Sequence, residues 1–598
     1  MNFFKSFFAS FLAVIVAFLI GIPFLFIIIG GIFSAIGSSN EVVAVNPKTV
    51  LHLKLNTPIV ENAAIEPVDF NFDKFMPLPI GGSTSKMGLF QIRQALKQAS
   101  EDKNIEGIYL NTNVTVPASG WTTMKAIRDA LIDFKASGKF IYAYSEVYSE
   151  NSYYLASVAD KIYMPAVGSI EFNGFGATPM FYTGLFEKID LEPKIFKVGT
   201  FKSAVEPYML KKMSDANRLQ TEKYMGDLWK IFSQEVSVSR SLTPEEIDDI
   251  AQNLILGRGT DAKKVRLIDE VAYENTVFDE IRTKIGLEVD DKITFMSLNK
   301  YMRVPSRAKA SKNKIAVIFA EGGIQSGKSS DGVMGSETIV DELRKARKDK
   351  SVKAIVFRVN SRGGSALASD MIAEEVRLCS EEKPIIASMG DYAASGGYYI
   401  SAKCDKIYAQ TNTITGSIGI FGILYNTRNT FTNNLGITFD EVETHEHANI
   451  GHPNYPMTKA EEAFIQNMIH EGYSTFINVV KDGRGFADSA SVDQIAQGRV
   501  WSGLEAKNIN LIDEFGDLDD AIEAAAKMAN IEDDYRIIRT PKVKSLYEEL
   551  LNDMLETTSD KISQQHPLYE EMKTLETIKK EIPKSGVYML MPYTLEIN

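Results

Sequence analysis

Three short pieces of this sequence return in the same order about 245 residues later, and nothing else in it constrains the fold as much. Asp102-Lys103 returns as Asp349-Lys350, Asp160-Lys-Ile-Tyr163 as Asp405-Lys-Ile-Tyr408, and Leu267-Ile-Asp-Glu270 as Leu511-Ile-Asp-Glu514. The offsets are 247, 245 and 244. A nearly constant offset over ordered matches is the signature of an internal duplication, and its period is far too long for a solenoid. Each copy alternates strand and helix. In the first, the strand patterns Thr49–Leu55, Ile105–Leu110 and Phe140–Tyr144 alternate with helical periodicity over Leu89–Lys103 and Trp121–Ala136. In the second, strands at Ile315–Phe319, Val352–Val359 and Pro384–Met389 alternate with helices at Ser336–Lys350 and Met371–Ser380. This order predicts βαβ units, a mostly parallel sheet in each copy and an α/β fold class.

The remaining segments divide the chain. Ser6 to Asn40 is a run of 35 residues without a charge, where a membrane helix needs about 20 and the core of a cleavable signal peptide about 7–15. Phe7 to about Ile29 is therefore expected to be an uncleaved transmembrane anchor. Lys5 on its near side favours a cytoplasmic N-terminus, with the bulk of the chain across the membrane. The expected division is an anchor over 1–45, a first repeat over 46–302, a basic linker over 303–313, a second repeat over 314–540 and a charged helical tail over 541–598. The helical part of that tail is expected at Ser545 to Lys580. A net charge of −13 argues against nucleic acid as a partner. Two cysteines, Cys379 and Cys404, exclude a disulfide framework and a Cys-rich zinc site.

Candidate chemistry emerges where the repeats differ. Asp391-Tyr-Ala-Ala-Ser395-Gly396-Gly397-Tyr-Tyr399 follows a strand pattern, which suits an exposed nucleophile whose glycines admit a substrate backbone. An ordinary strand-to-helix turn capped by Ser395 is the plainer alternative. The 245 offset puts Glu150 at the position of Ser395, so the first copy has no nucleophile there. Asn360-Ser-Arg-Gly363-Gly364-Ser365 is a glycine turn suited to offering a backbone N–H to an oxyanion, or simply a tight turn. In Gly199-Thr-Phe-Lys202-Ser-Ala-Val-Glu-Pro207, a lysine at a strand end among small and apolar residues would become a neutral base if desolvated; a solvated surface lysine is the alternative. At the same offset the second copy has Glu446 or His447. A histidine base would come from His445, His447 or His452, although Ala393 stands where an α/β-hydrolase elbow requires glycine. Those histidines also suggest a metal cluster, but they lack the helical His-Glu-x-x-His spacing and lie in a Gly/Asn/Pro-rich loop.

Together these motifs resemble the long, duplicated form of the signal peptide peptidase A (protease IV) family, peptidase family S49, from about Val50 to about Ile538. The resemblance implies tandem crotonase-like or Clp-protease-like domains. It also implies a membrane-anchored serine endopeptidase without cofactor or metal. Lys202 matches the family's general base and Ser395 its nucleophile. Asn360-Ser-x-Gly-Gly-Ser365 matches its oxyanion turn, pointing to the Gly364 amide with Gly396 as partner. Thr415-Gly-Ser417-Ile-Gly-Ile-Phe-Gly422 matches the stretch whose serine orients the lysine. Arg362 departs from the family's usual proline. The resemblance further implies a homotetrameric bowl on the extracytoplasmic side of the plasma membrane, with cleaved signal peptides and other extended apolar peptides as substrates. The rival readings are a membrane-tethered, non-catalytic crotonase-like scaffold that binds peptides, and an acyl-CoA enzyme of crotonase type.

Overall fold

Long apolar strands with helices between them build one parallel sheet per repeat. The strands are buried almost end to end, as expected where both faces of a parallel sheet are covered. The computed structural model describes residues 43–65, 86–113, 120–254, 257–305, 311–543 and 586–591. The first sheet runs Glu270–Val271, Lys161–Met164, Phe140–Tyr144, Ile105–Asn111, Thr49–Leu53 and Thr294–Ser297, all parallel. The second repeats that order strand for strand: Glu514–Phe515, Lys406–Ala409, Ile385–Ala394, Val352–Ser361, Lys314–Glu321 and Arg536–Thr540.

The duplication extends to single hydrogen bonds. The Asp160 carboxylate accepts the Ile141 amide at 2.8 Å, and the Asp405 carboxylate accepts the Ile385 amide at 2.8 Å. Arg240 clasps Asp269 with both terminal nitrogens, and Arg484 clasps Asp513 in the same way. The Tyr153 hydroxyl donates to the Leu267 carbonyl, and the Tyr398 hydroxyl to that of Leu511. These polar side chains close buried turns, where an unpaired backbone group is costly. That requirement explains why the repeated words in the sequence are polar ones.

The second repeat carries additions. Ile414–Gly416 extends the pairing of Ile385–Ala394 in parallel, and Val500–Ser502 joins it antiparallel. Because Tyr392, Ala393 and Ala394 pair with Ile414, Thr415 and Gly416, the strand continues five residues beyond the expected Met389 and ends against Ser395. The helix expected from Met371 begins at Ala366, where the Ser365 side chain caps it by accepting the Ala368 amide.

A third sheet draws on both repeats. Its order is Val333–Gly335, Gly323–Gln325, Gly363–Ser365, Gly586–Leu590, Phe421–Asn426 and Glu192–Lys197. Glu192–Lys197 belongs to the first repeat and pairs antiparallel with Phe421–Asn426 over six residues. Gly586–Leu590 corrects the expectation of a helical tail over 541–598: its apolar residues pair on both edges, and sheet pairing prevails there over helix. The expected helix Ser545 to Lys580 and the expected anchor Phe7 to Ile29 lie outside the described residues. Among the described residues no helix is long and apolar enough to cross a membrane.

A buried ion pair also joins the repeats. Arg358 and Glu61 are each 2% exposed, and the guanidinium binds the carboxylate through Nε at 2.9 Å and Nη2 at 3.1 Å. Asn360 donates to the same carboxylate and accepts the Tyr392 amide, which ties the junction to the strand leading into Ser395.

Candidate active site

Ser395 sits where a parallel strand turns abruptly into the helix Gly396–Ser401. Its backbone takes φ 55° and ψ −116°, a strained conformation for a residue with a Cβ. The turn is held because the Ser395 amide donates to the Gly416 carbonyl at 2.8 Å and the Tyr399 amide donates to the Ser395 carbonyl at 2.9 Å. The side chain therefore projects from the strand end, and it is fully buried.

Lys202 reaches it from the first repeat. Leaving the shared sheet at Lys197, the chain turns at Gly199 (φ +104°), and the Phe201 amide donates to the Gln497 carbonyl at 2.8 Å. Lys202 thus lies in the loop before the short helical turn Ser203–Val205, not at a strand end as the sequence suggested. Its Nζ stands 2.9 Å from Ser395 Oγ, 3.0 Å from the Ser417 carbonyl oxygen and 3.1 Å from Ser417 Oγ. The lysine is fully buried, and burial alone drives its pKa well below the usual lysine range.

Ser417 is fixed in its turn at φ +50°, its amide donating to the Arg499 carbonyl at 2.7 Å. The Arg499 guanidinium lies over both Trp501 and Phe201, at 4.1 and 5.1 Å from the ring centres. It thereby links the Ser417 turn to the lysine loop.

The glycine turn comes up against the start of the Ser395 helix. A Cβ built on Gly396 would lie 3.1 Å from Gly363 Cα and 3.2 Å from the Gly364 nitrogen. One built on Gly363 would lie 2.7 Å from the Gly396 nitrogen. Side chains at either glycine would collide with the facing backbone. The Ser361 hydroxyl braces the turn, donating to the Gly322 carbonyl and accepting the Gly363 amide.

In the first repeat Glu150 occupies the corresponding position and is buried. One carboxylate oxygen accepts the amides of Asn173 and Gly174, each at 2.8 Å, and burial pushes its pKa up to about 7. Asn173 and Gly174 correspond to Ile418 and Gly419, beside Ser417. The first copy therefore holds a carboxylate tied to the backbone where the second copy has Ser395.

The histidines lie elsewhere. His445, His447 and His452 are in an exposed loop, and His447 pairs with Glu461, which raises its pKa. None of the three bonds to Ser395. Among the described residues no group of His, Cys, Asp or Glu is arranged to hold a metal.

Two contributors, Gly498 and Gln220, escaped the sequence reading, and a third, Gly419, was named there only as part of the Ser417 stretch. Gly498 (φ +76°) faces the lysine so closely that a Cβ there would lie 2.6 Å from Lys202 Cβ, and one at Gly419 would lie 3.2 Å from Lys202 Cδ. Gln220 joins the lysine loop to the second repeat, donating to the Phe201 carbonyl and Ser203 Oγ and accepting the Val500 amide. Gly498 belongs to no periodic pattern or quoted motif, and Gln220 reads as one polar residue of a long helix. Only the juxtaposition of distant segments reveals them.

A buried hydroxyl on a strained strand-to-helix turn, 2.9 Å from a buried lysine amine in a twice-built parallel α/β scaffold, has the layout of an activated nucleophile, and the family match below makes the chain a serine peptidase. Comparison with known proteins narrows the class. Residues 121–288 and 377–532 match the profile of Peptidase family S49, one segment in each repeat, and the chain belongs to that family. It is 37% identical over 466 residues to "Protease 4" of Salmonella typhi, covering 75% of this chain and 74% of that protein. It is 36% identical to "Protease 4" of Haemophilus influenzae, covering 74% of each chain. It is 30% identical to "Serine protease SPPA, chloroplastic" of Arabidopsis thaliana, covering 75% of this chain and 66% of that one.

Proposed function

We propose that this serine protease is a membrane-anchored endopeptidase of crotonase-like or Clp-protease-like fold, in which Ser395 is the nucleophile and Lys202 the general base. The observation that carries this reading is the threefold environment of the lysine amine. A neutral amine has two hydrogens and one lone pair. The Ser417 carbonyl oxygen can only accept, and Ser417 Oγ accepts the second hydrogen. The lone pair is left for the Ser395 hydroxyl at 2.9 Å.

The reaction follows from that geometry. Lys202 Nζ takes the Ser395 Oγ proton as the oxygen bonds to a peptide carbonyl carbon. The Gly364 and Gly396 amides donate to the resulting oxyanion, an effect worth about 3–4 kcal/mol per donor. The tetrahedral intermediate collapses by breaking the C–N bond, and the Lys202 ammonium protonates the leaving amine. A water then gives a proton to the regenerated neutral lysine and attacks the acyl ester, which restores the Ser395 hydroxyl and releases the new carboxyl end.

The substrates in this reading are cleaved signal peptides and other extended apolar peptides. The site lies outside the cytoplasm, in a homotetramer anchored in the plasma membrane by residues 1–45. The apolar run at the N-terminus and the likeness to Protease 4 and SPPA proteins support this assignment.

The test is hydrolysis of an apolar fluorogenic peptide. Ser395→Ala and Lys202→Ala should each lose at least ~10³-fold in kcat, while Glu150→Ala and His447→Ala retain activity per folded molecule. An active Lys202→Ala enzyme beside a dead His447→Ala enzyme would replace the lysine with a histidine base.

A further inference from the structure

The strand that delivers Ser395 is interrupted just before it does so. Val359 of the neighbouring strand pairs with Met389, but Ser361 pairs with Ala393, so two steps along one strand match four along the other. The surplus lies within Gly390–Tyr392 and forms a bulge, and a bulge beside a strand end re-aims the side chains that follow it. Two of its groups are held within the second repeat. The Thr413 hydroxyl donates to the Gly390 carbonyl at 3.0 Å, and the Tyr392 amide donates to Asn360 Oδ1 at 3.1 Å. The third, the Asp391 side chain, is held by the first repeat.

Asp391 is buried. One carboxylate oxygen accepts the Thr123 amide at 2.8 Å, and the other accepts the Thr123 hydroxyl at 2.6 Å. Thr123 lies in the first turn of the helix Trp121–Ala136, whose own N-cap residue is Gly120 and has no side chain to offer. The amides of a helix start need an acceptor, and a carboxylate suits them best. A Cβ built on Gly120 would lie 2.0 Å from Asp391 Cγ, so the carboxyl group takes the place of the missing cap. At the 245 offset the matching helix, Ala366–Ser380, is capped by its own Ser365, and Glu146, at the position of Asp391, is exposed. A cap supplied across the junction is thus peculiar to the strand that carries the nucleophile. The same helix start also grips the residues leading into Ile414–Gly416. Asn412 Nδ2 donates to the Trp121 carbonyl at 2.9 Å, and Asn412 Oδ1 accepts the Thr122 hydroxyl at 3.3 Å. Both strands that bracket Ser395 are therefore fastened to one end of one helix of the first repeat.

We propose that Asp391 is a positioning residue for the nucleophile: anchored on the start of Trp121–Ala136, it fixes the bulge that aims Ser395 at Lys202, so that the first repeat sets the direction of the hydroxyl as well as supplying the amine. This rests on the reading of Ser395 and Lys202 as nucleophile and base. A bulge released from the helix lets Ser395 Oγ drift from its 2.9 Å contact with the amine. A displacement of about 1 Å at a reacting atom costs on the order of 10²-fold in rate. Asp391 acts through the aim of the hydroxyl, so the loss falls on kcat and not on KM.

The test measures kcat and KM for the apolar fluorogenic peptide, together with Tm, in three full-length variants. Asp391→Ala removes the anchor. Asp391→Asn keeps an acceptor for the Thr123 amide. Gly120→Asp/Asp391→Ala gives the helix a cap from its own N-cap position while leaving the bulge loose, and it keeps the test open should Asp391→Ala fail to fold. The proposal expects kcat at least ~10-fold below wild type in Asp391→Ala with KM within about threefold. It expects most of that loss to be recovered in Asp391→Asn, and a double variant that regains Tm but not kcat. Wild-type kcat in Asp391→Ala overturns it. So does a double variant that regains kcat along with Tm, since Asp391 would then be a helix cap alone. The catalytic reading is judged separately by Ser395→Ala and Lys202→Ala. Activity in either defeats that reading, whereas two dead enzymes beside a fully active Asp391→Ala leave it standing and remove only the role of Asp391.

Discussion

At the scale of single residues, the proposed mechanism turns on the buried lysine. Lys202 is held in a place where its charged form is penalised by burial. In the proposed mechanism a neutral amine then serves as base at a pH where surface lysines are protonated, and the rising limb of kcat/KM against pH should lie well below the usual lysine range. A limb near the ordinary lysine value would mean that the amine is wet. The same shift has a stability consequence. The folded state binds this proton less well than the unfolded chain, so folding carries the full penalty below the depressed pKa, and the penalty fades as pH rises from there to the ordinary value of 10.5. Lys202→Met should therefore unfold at higher temperature than the wild type near neutral pH while losing hydrolysis, and the gap in Tm should narrow toward pH 10. A loss of Tm in that variant would show that the ammonium is stabilised by something in the fold.

At the scale of elements, the site depends on how closely two loops approach. Gly498 presses on the backbone of Lys202, and its φ of +76° is itself unfavourable for other residues. Gly498→Ala should move the lysine by a fraction of an ångström and lower kcat by ~10²-fold. KM should change less, which steady-state kinetics reads directly. Gly419→Ala, whose added carbon meets only the side-chain stem at 3.2 Å, should cost less. The contrast bears on how far the sequence could be read. Trp121–Ala136 and Phe140–Tyr144 stand at the bounds that periodicity gave, since amphipathic pattern alone determines such elements. Ser395 and Lys202 were marked by the places where one repeat departs from the other. The strand Glu192–Lys197, which crosses into the partner repeat's sheet, left no signal because its partners are more than two hundred residues away. The strand Gly586–Leu590 was masked by the charged stretch before it, whose composition set the expectation for the whole tail.

At the scale of the molecule, the two repeats are joined by contacts that also shape the site. Arg358 of the second repeat and Glu61 of the first form a buried bidentate pair, and Asn360 continues it to Tyr392 on the strand that ends at Ser395. Removing one partner leaves a buried charge uncompensated, which costs about 3–5 kcal/mol. Arg358→Met should lower stability by that amount in denaturant titration and should weaken activity by loosening the junction. Glu61→Gln together with Arg358→Met should recover part of the loss, because no lone charge remains. A single variant with wild-type stability would show that water reaches this junction.

The division of labour between the repeats has a consequence for biosynthesis. The first half of the chain leaves the ribosome with the amine but without the hydroxyl, its own equivalent position being occupied by Glu150. In the proposed mechanism the Lys202 amine meets the Ser395 hydroxyl only once the later half has been made, folded and docked against the earlier one. On that reading a product stopped before Ser395 carries the base without the nucleophile, and the isolated first repeat should show no hydrolysis of the fluorogenic peptide.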